Sequence, residues 1–257
     1  MTLSVIVPIL NEETFVPLYL ESVAAFADEI IIVDGGSTDG SLEHIARLET
    51  KYPIKLFTMP QTGLPYTEDW NESEVRNFLI GQATGDWIMN LDIDEMMDDR
   101  FRDLLPVLMA NTAVDVYQFP FVNFWRDPNT IRVNSPGDER WSNDITRMWR
   151  AGKGIRYRDE KHHCTLEAAG GASIWSLPRV RADVNVYHYH YAIGKRIKYN
   201  DNRRGDVNLL NNVGEPDWNY SHKEYQIATV PFQGEHPAVI QRYLEQLNGN
   251  GKSTPNL

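Results

Sequence analysis

Glu29-Ile30-Ile31-Ile32-Val33-Asp34, followed by Gly35-Gly36-Ser37-Thr38-Asp39-Gly40, decides the fold. A β-branched run without polar alternation suits a strand covered on both faces, and such strands belong to parallel sheets flanked by helices. The glycine-rich turn leads into a helix over roughly 41–50, with Leu42, Ile45 and Leu48 on one side. Upstream, Leu3-Ser4-Val5-Ile6-Val7-Pro8 is a strand stopped by proline. Asn11 is expected to cap the next helix, whose first turn carries Glu12 and Glu13 and whose apolar side reads Phe15, Leu18, Tyr19 and Val23. Downstream come a strand at Ile54-Lys55-Leu56-Phe57 and a helix over about 70–83. A fourth strand, Trp87-Ile88-Met89-Asn90-Leu91, then runs into Asp92-Ile93-Asp94-Glu95.

Strand–helix alternation with short connections implies parallel strands joined by right-handed crossovers, an open α/β sheet. Ligands of such sheets bind beyond the carboxyl ends of the strands. The polar clusters fall there: Asn11-Glu12, Asp34, and Asp92 with Asp94. Past residue 110 the pattern changes. Val114–Phe124, Thr130–Val133, Ile145–Trp149 and Val184–Tyr191 read as strands. Five of the seven tryptophans (Trp125, Trp141, Trp149, Trp175 and Trp218) lie there, suited either to a pocket for a polyhydroxylated ligand or to core filling. Residues 1–245 read as one domain, its first hundred residues a nucleotide-sugar half and 101–245 an acceptor and catalytic half; 246–257 read as a disordered tail.

Composition narrows the function classes. The chain has 257 residues, a length for one large domain or two small ones at roughly 150 residues each. Its formal charge of −11 argues against sequence-independent nucleic-acid binding, which needs a basic footprint. The single cysteine, Cys164, excludes an internal disulfide framework and fits a reducing compartment. No apolar run approaches the ~18 residues of a membrane span, and the N-terminus enters a strand with no signal-peptide pattern. A cytoplasmic protein is expected.

The chemistry concentrates in two places. Alternation along an extended segment would put Asp92 and Asp94 on one side, two carboxylates at a strand tip able to hold Mg²⁺ or Mn²⁺ with diphosphate oxygens completing the shell. In Val186-Tyr187-His188-Tyr189-His190-Tyr191, the same alternation places the two histidines on one face and the tyrosines on the other. Against these stand plainer readings. Asp34 and Asp39 are also ordinary turn and cap residues, and an isolated histidine is often structural. The basic cluster Lys195, Arg196, Lys198, Arg203 and Arg204 is either a diphosphate or anionic-acceptor contact or a solvated helix face.

Four motifs in order resemble the family 2 glycosyltransferases of GT-A fold. They are Ser4-Val5-Ile6-Val7-Pro8 with Asn11-Glu12; Ile32-Val33-Asp34-Gly35-Gly36-Ser37-Thr38-Asp39-Gly40; Arg76 with Ala83-Thr84-Gly85-Asp86-Trp87-Ile88; and Leu91-Asp92-Ile93-Asp94-Glu95. Asp34-Gly35, where many members have two aspartates, together with Asp94-Glu95, is similar to the branch acting on bacterial lipopolysaccharide inner cores. The resemblance implies an open mixed sheet with helices on both faces and an inverting, metal-dependent transfer of a hexose to a hydroxyl. The implied donor is a nucleotide diphosphate sugar, UDP-glucose or another UDP-hexose, and the acceptor a glycan or glycolipid; the acidic charge argues for no nucleic-acid partner, and the lack of a membrane span still allows peripheral membrane contact. The resemblance also implies that Pro8, Glu12, Asp34, Arg76 and Asp92 serve the nucleotide sugar, and that Asp94 and His188 hold Mn²⁺ or Mg²⁺; within the basic cluster, Lys198 or Arg203 is the candidate phosphate contact. The base that takes the acceptor proton falls among His163, Glu160 and Asp144; the branch has a His-Glu pair where this chain has Asp159-Glu160-Lys161-His162-His163-Cys164, and if His162 takes the His position, His163 replaces the glutamate. Two alternatives remain: a non-catalytic nucleotide-sugar-binding module, and a sugar nucleotidyltransferase, which would want a glycine-rich phosphate loop that Pro8–Glu12 lacks.

Overall fold

The computed structural model describes residues 1–61, 71–125, 127–133, 144–160, 164–193 and 228–249. The N-terminal part alternates as expected: β1 (Leu3–Ile9), α1 (Phe15–Val23), β2 (Glu29–Asp34), α2 (Ser41–Leu48), β3 (Ile54–Thr58), α3 (Glu72–Gln82) and β4 (Trp87–Asn90). β1 runs parallel to β2 and β4, and β2 parallel to β3. Side chains alternate between two cores. Val5, Val7, Ile30, Ile32 and Met89 face one, shared with Phe15, Tyr19 and Ile45 from α1 and α2. Ile6, Ile31, Val33 and Ile88 face the other, with Val75 and Leu79 of α3. That double coverage is why β2 carries no polar alternation.

The start of α1 departs from expectation. The helix begins at Phe15 with no acidic residue in its first turn. Asn11 instead adopts a left-handed φ of 56°, which Asn tolerates better than most residues. Its Oδ1 accepts from the Thr38 N–H at 2.8 Å, so the expected cap is a brace between the loops after β1 and β2. Pro17 falls in the first helical turn, where its missing N–H removes no intrahelical bond.

The second half contributes β5 (Glu95–Met97), α4 (Phe101–Ala110), β6 (Val116–Trp125), β7 (Asp127–Val133), β8 (Asp144–Arg150), β9 (Arg156–Tyr157), β10 (Leu166–Ala168), β11 (Ala172–Ser173), β12 (Arg179–Arg181), β13 (Val186–Tyr191), β14 (Ala228–Pro231) and α5 (Ala238–Gly249). β8 enters antiparallel beside β4, with Met148 opposite Met89, giving the order β14-β7-β6-β8-β4-β1-β2-β3. β13 lies antiparallel to β5 and parallel to β6, which returns a late strand to the tip of β4. β9, β10 and β11 form a separate three-stranded sheet. The side-chain amide of Asn77, on α3, closes two hydrogen bonds with the Tyr157 backbone of that sheet, at 2.9 and 2.8 Å.

Residues 246–249 belong to α5 rather than to a tail, because Val239 and Ile240 anchor that helix in the larger core. Residues 250–257 lie outside the described residues, as do Trp141 and Trp218. Trp125 and Trp149 are core side chains, whereas Trp175 is 51% exposed. Among the described residues no helix is long and apolar enough to cross a membrane.

Candidate active site

The Asp92–Glu95 segment is a turn, not an extended strand, so alternation does not set its side chains. The Glu95 N–H donates to the Asp92 carbonyl at 2.9 Å, and the Asp92 N–H donates to Glu95 Oε2 at 3.1 Å. The two aspartates consequently take different partners. Asp92 Oδ1 accepts from Arg76 Nη2 and Oδ2 from Arg147 Nη2, both at 2.9 Å. Arg147 also pairs with Glu95 Oε1. Arg76 donates further to Glu72 and to Asn90 Oδ1, at 2.8 and 2.9 Å. Burial pushes the Asp92 carboxyl up, but the two guanidiniums reverse this and hold it well below the usual range. Glu95 goes the other way: enclosed at 1% exposure, it is pushed up to about 8 by burial, which the pull of Arg147 does not overcome against Asp92 and Asp94.

Asp94 faces the histidines. Its Oδ2 lies 2.6 Å from His190 Nδ1 and its Oδ1 lies 3.7 Å from His188 Nε2. The Tyr189 N–H donates to the Asp94 carbonyl at 2.9 Å and locks β13 to the turn. The two imidazoles stack at 5.5 Å, sharing a face as the alternation requires. One donor atom from each of Asp94, His188 and His190 lies within 4.8 Å of the others. Burial drives the His188 imidazolium down to about 4, against the pull of Asp94, so the ring is neutral near pH 7. Asn123 Oδ1, an acceptor, sits 2.6 Å from His188 Nδ1 and keeps the proton there. His188 Nε2 therefore turns a lone pair toward an ionised carboxylate oxygen. Two acceptors facing each other, one oriented by a second hydrogen bond, are a donor set that fits a divalent cation.

At the end of β2, Asp34 is buried, and its carboxylate accepts the N–H groups of Gly36 and Ser37 at 2.9 and 3.0 Å. This is the turn chemistry weighed against a ligand role, with Gly36 at a φ of 95° that favours glycine. Asp39 accepts from the Glu13 and Ser41 N–H groups, each at 3.0 Å, again a loop brace. Glu12 is buried beside them, its N–H donating to Ser41 Oγ at 2.7 Å. Pro8, one residue inside the end of β1, pairs with Val33.

Of the three residues considered as base, Asp144 opens β8 and accepts from Arg181 Nε at 2.8 Å. Glu160 accepts from the Thr165 N–H at 3.0 Å. His163 lies outside the described residues, as do His162, Lys198 and the rest of its basic cluster.

Residues 4–172 match the family described as Glycosyl transferase family 2. The chain belongs to this family. Over 111 residues it is 33% identical to "Lipopolysaccharide core biosynthesis glycosyltransferase LpsC" of Rhizobium meliloti (strain 1021), a match covering 43% of this chain and 38% of that protein. "Uncharacterized glycosyltransferase RT0209" of Rickettsia typhi (strain ATCC VR-144 / Wilmington) is 27% identical over 129 residues, 49% of this chain and 40% of its own. These matches span about two fifths of the relatives' length. Among solved structures, S. aureus TarS 1-349 in complex with UDP-GlcNAc superposes with a TM-score of 0.52 at 16% identity, over 77% of this chain and 60% of that one. The shared architecture is the GT-A fold.

Within this family 2 glycosyl transferase, three side chains owe their place at the site to tertiary packing. Arg147 is one of two arginines in an ordinary strand, and only the antiparallel entry of β8 sets it beside Asp92. Asn123 meets His188 through the β6–β13 register. His190, which alternation paired with His188 but left without a role, is the closer of the two to Asp94.

Proposed function

We propose that the chain is a metal-dependent, inverting glycosyltransferase that moves a hexose from a UDP-sugar to a hydroxyl of a glycan or glycolipid acceptor. The observation that carries this reading is the convergence of Asp94, His188 and His190 beside Asp92, beyond the carboxyl end of β4. Asp94, His188 and His190 would hold Mn²⁺ or Mg²⁺, and the bound cation would neutralise the charge that grows on the leaving diphosphate. Asp92, kept ionised by Arg76 and Arg147, offers acceptor lone pairs to a donor-sugar or ribose hydroxyl. Asp34, Glu12 and Pro8 frame the nucleotide at the neighbouring strand ends, where LpsC and TarS support the family assignment and the fold. Lys198 is the remaining proposed phosphate contact.

The base must reach the acceptor hydroxyl opposite the departing diphosphate, so that attack inverts the anomeric centre. Glu95, although raised to about 8, is enclosed and engaged by Arg147 and the Asp92 N–H, which removes it from that role. Asp144, Glu160 and His163 are the groups to separate. Release of UDP from a panel of UDP-sugars with Mn²⁺, in wild type and in Asp94→Ala, tests the activity. Asp144→Asn, Glu160→Gln and His163→Asn then test the base, whose loss should cut kcat by about 10²-fold or more while donor binding persists. Calorimetric donor binding without turnover on any acceptor would leave the binding-module reading in its place.

A further inference from the structure

We propose that Arg147 is a positioning residue for the donor, acting through Asp92. It fixes both ends of the 92–95 turn and thereby the plane in which the Asp92 carboxylate meets the donor. The inference rests on the donor-binding reading above.

The guanidinium lies in β8, one residue from the Met148–Met89 pair, with its side chain only 11% exposed. Its Nη2 reaches Asp92 Oδ2 at 2.9 Å and also Glu95 Oε1, so one group spans a turn already closed by two backbone-donor bonds. Arg76, from α3, takes Asp92 Oδ1 at 2.9 Å. Carboxylate rotation about its terminal torsion is otherwise broad, and two planar donors from different elements remove it.

Fold stability alone does not account for Arg147. Buried ion pairs add little net stability, because desolvation offsets the attraction. Arg147 Nε is buried with no hydrogen-bond partner, a further uncompensated loss of hydration. The Asp92 side chain, in contrast, keeps 30% exposure, and each of its oxygens has acceptor capacity left for a ligand hydroxyl. Arg147 is thus placed to orient the residue that touches the donor without touching the donor itself.

The test uses a Glu95→Gln background, so that removing the guanidinium strands no buried carboxylate. Arg147→Gln, Arg147→Lys and Asp92→Asn are made in it singly, and Arg147→Gln is combined with Asp92→Asn. UDP-glucose affinity is read by calorimetry in Mn²⁺, and Mn²⁺ affinity alone by electron paramagnetic resonance. Arg147→Gln should weaken UDP-glucose binding about tenfold or more. Arg147→Lys should recover part of this, Mn²⁺ affinity should stay within about twofold, and Arg147→Gln should add nothing once Asp92 is Asn. Additive losses, undiminished UDP-glucose affinity in Arg147→Gln, or a parallel loss of Mn²⁺ binding that Lys does not recover would overturn the inference alone. Failure of the wild type to bind any UDP-sugar overturns the parent reading, and this inference with it. Should Glu95→Gln fail to fold, the cycle between Arg147→Lys and Asp92→Asn in the wild type carries the same test.

Discussion

His188 shows how one side chain acquires its role from what surrounds it. Burial keeps the ring neutral and Asn123 fixes its tautomer, leaving Nε2 as the basic atom turned to Asp94. Asn123→Ala should therefore weaken Mn²⁺ binding about 10–100-fold, the usual cost of losing a group that orients a ligand; unchanged titration would separate Asn123 from the site. Two imidazole nitrogens with one carboxylate suit Mn²⁺ or Co²⁺ better than Mg²⁺, which prefers oxygen. Competition followed by the Mn²⁺ resonance signal should show Mg²⁺ displacing it only in large excess. The carboxylates at strand tips were legible because a strand ends where its apolar run ends. Their partners were not, since pairing across the sheet depends on register that no single strand encodes.

Among the elements, the N-terminal edge of the sheet is tied by Glu29. Burial raises its carboxyl, but Lys55, Ser4 and Thr84 outweigh that and bring it down to about 2 from an ordinary 4.5. A lowered carboxyl stabilises fully above its unfolded value, so this contribution holds above about pH 4.5 and fades as pH falls toward 2. Lys55 is 44% exposed and partly screened, so the contribution is put at about 2 kcal/mol. In Glu29→Gln, the loss of stability between those pH values should shrink accordingly in urea titrations. Gly85 packs against the same edge: a Cβ there would meet Ser4 Oγ at 2.7 Å and the Ser4 backbone N at 2.8 Å. Gly85→Ala should cost about 1–3 kcal/mol by overpacking, visible as a lower denaturation midpoint. The alternation from β1 to β4 was readable because each run is short, apolar and bounded by turn residues. The Asn11 cap misled because the same residue type braces loops as readily as helices. α4 carries Pro106 in its interior, a residue that normally argues against a helix.

For the whole molecule, the C-terminal segment joins the sheet and the core together. β14 pairs with β7, Arg242 pairs with Glu21 of α1, and Ile240 is fully buried. Ile240→Ala should destabilise by about 2–4 kcal/mol, with the urea midpoint as the measure; a near-neutral effect would mean that α5 is only loosely docked. Tyr189 links this segment to the site, its hydroxyl 2.8 Å from His236 Nδ1 while its neighbours in β13 face Asp94. The residues read as a tail gave no sign of that packing, because the helix is anchored before them, by Val239, Ile240, Tyr243 and Leu244.

The separation of His190 from Asp94 by 96 positions also bears on biosynthesis. A ribosome that has delivered the first β-α repeats has made a plausible sheet but no cation cradle, and the imidazoles emerge only seconds later. On the proposed reading, nascent chains and early-termination fragments that stop before β13 would lack two of the three cation ligands, although they already carry the residues proposed to frame the nucleotide.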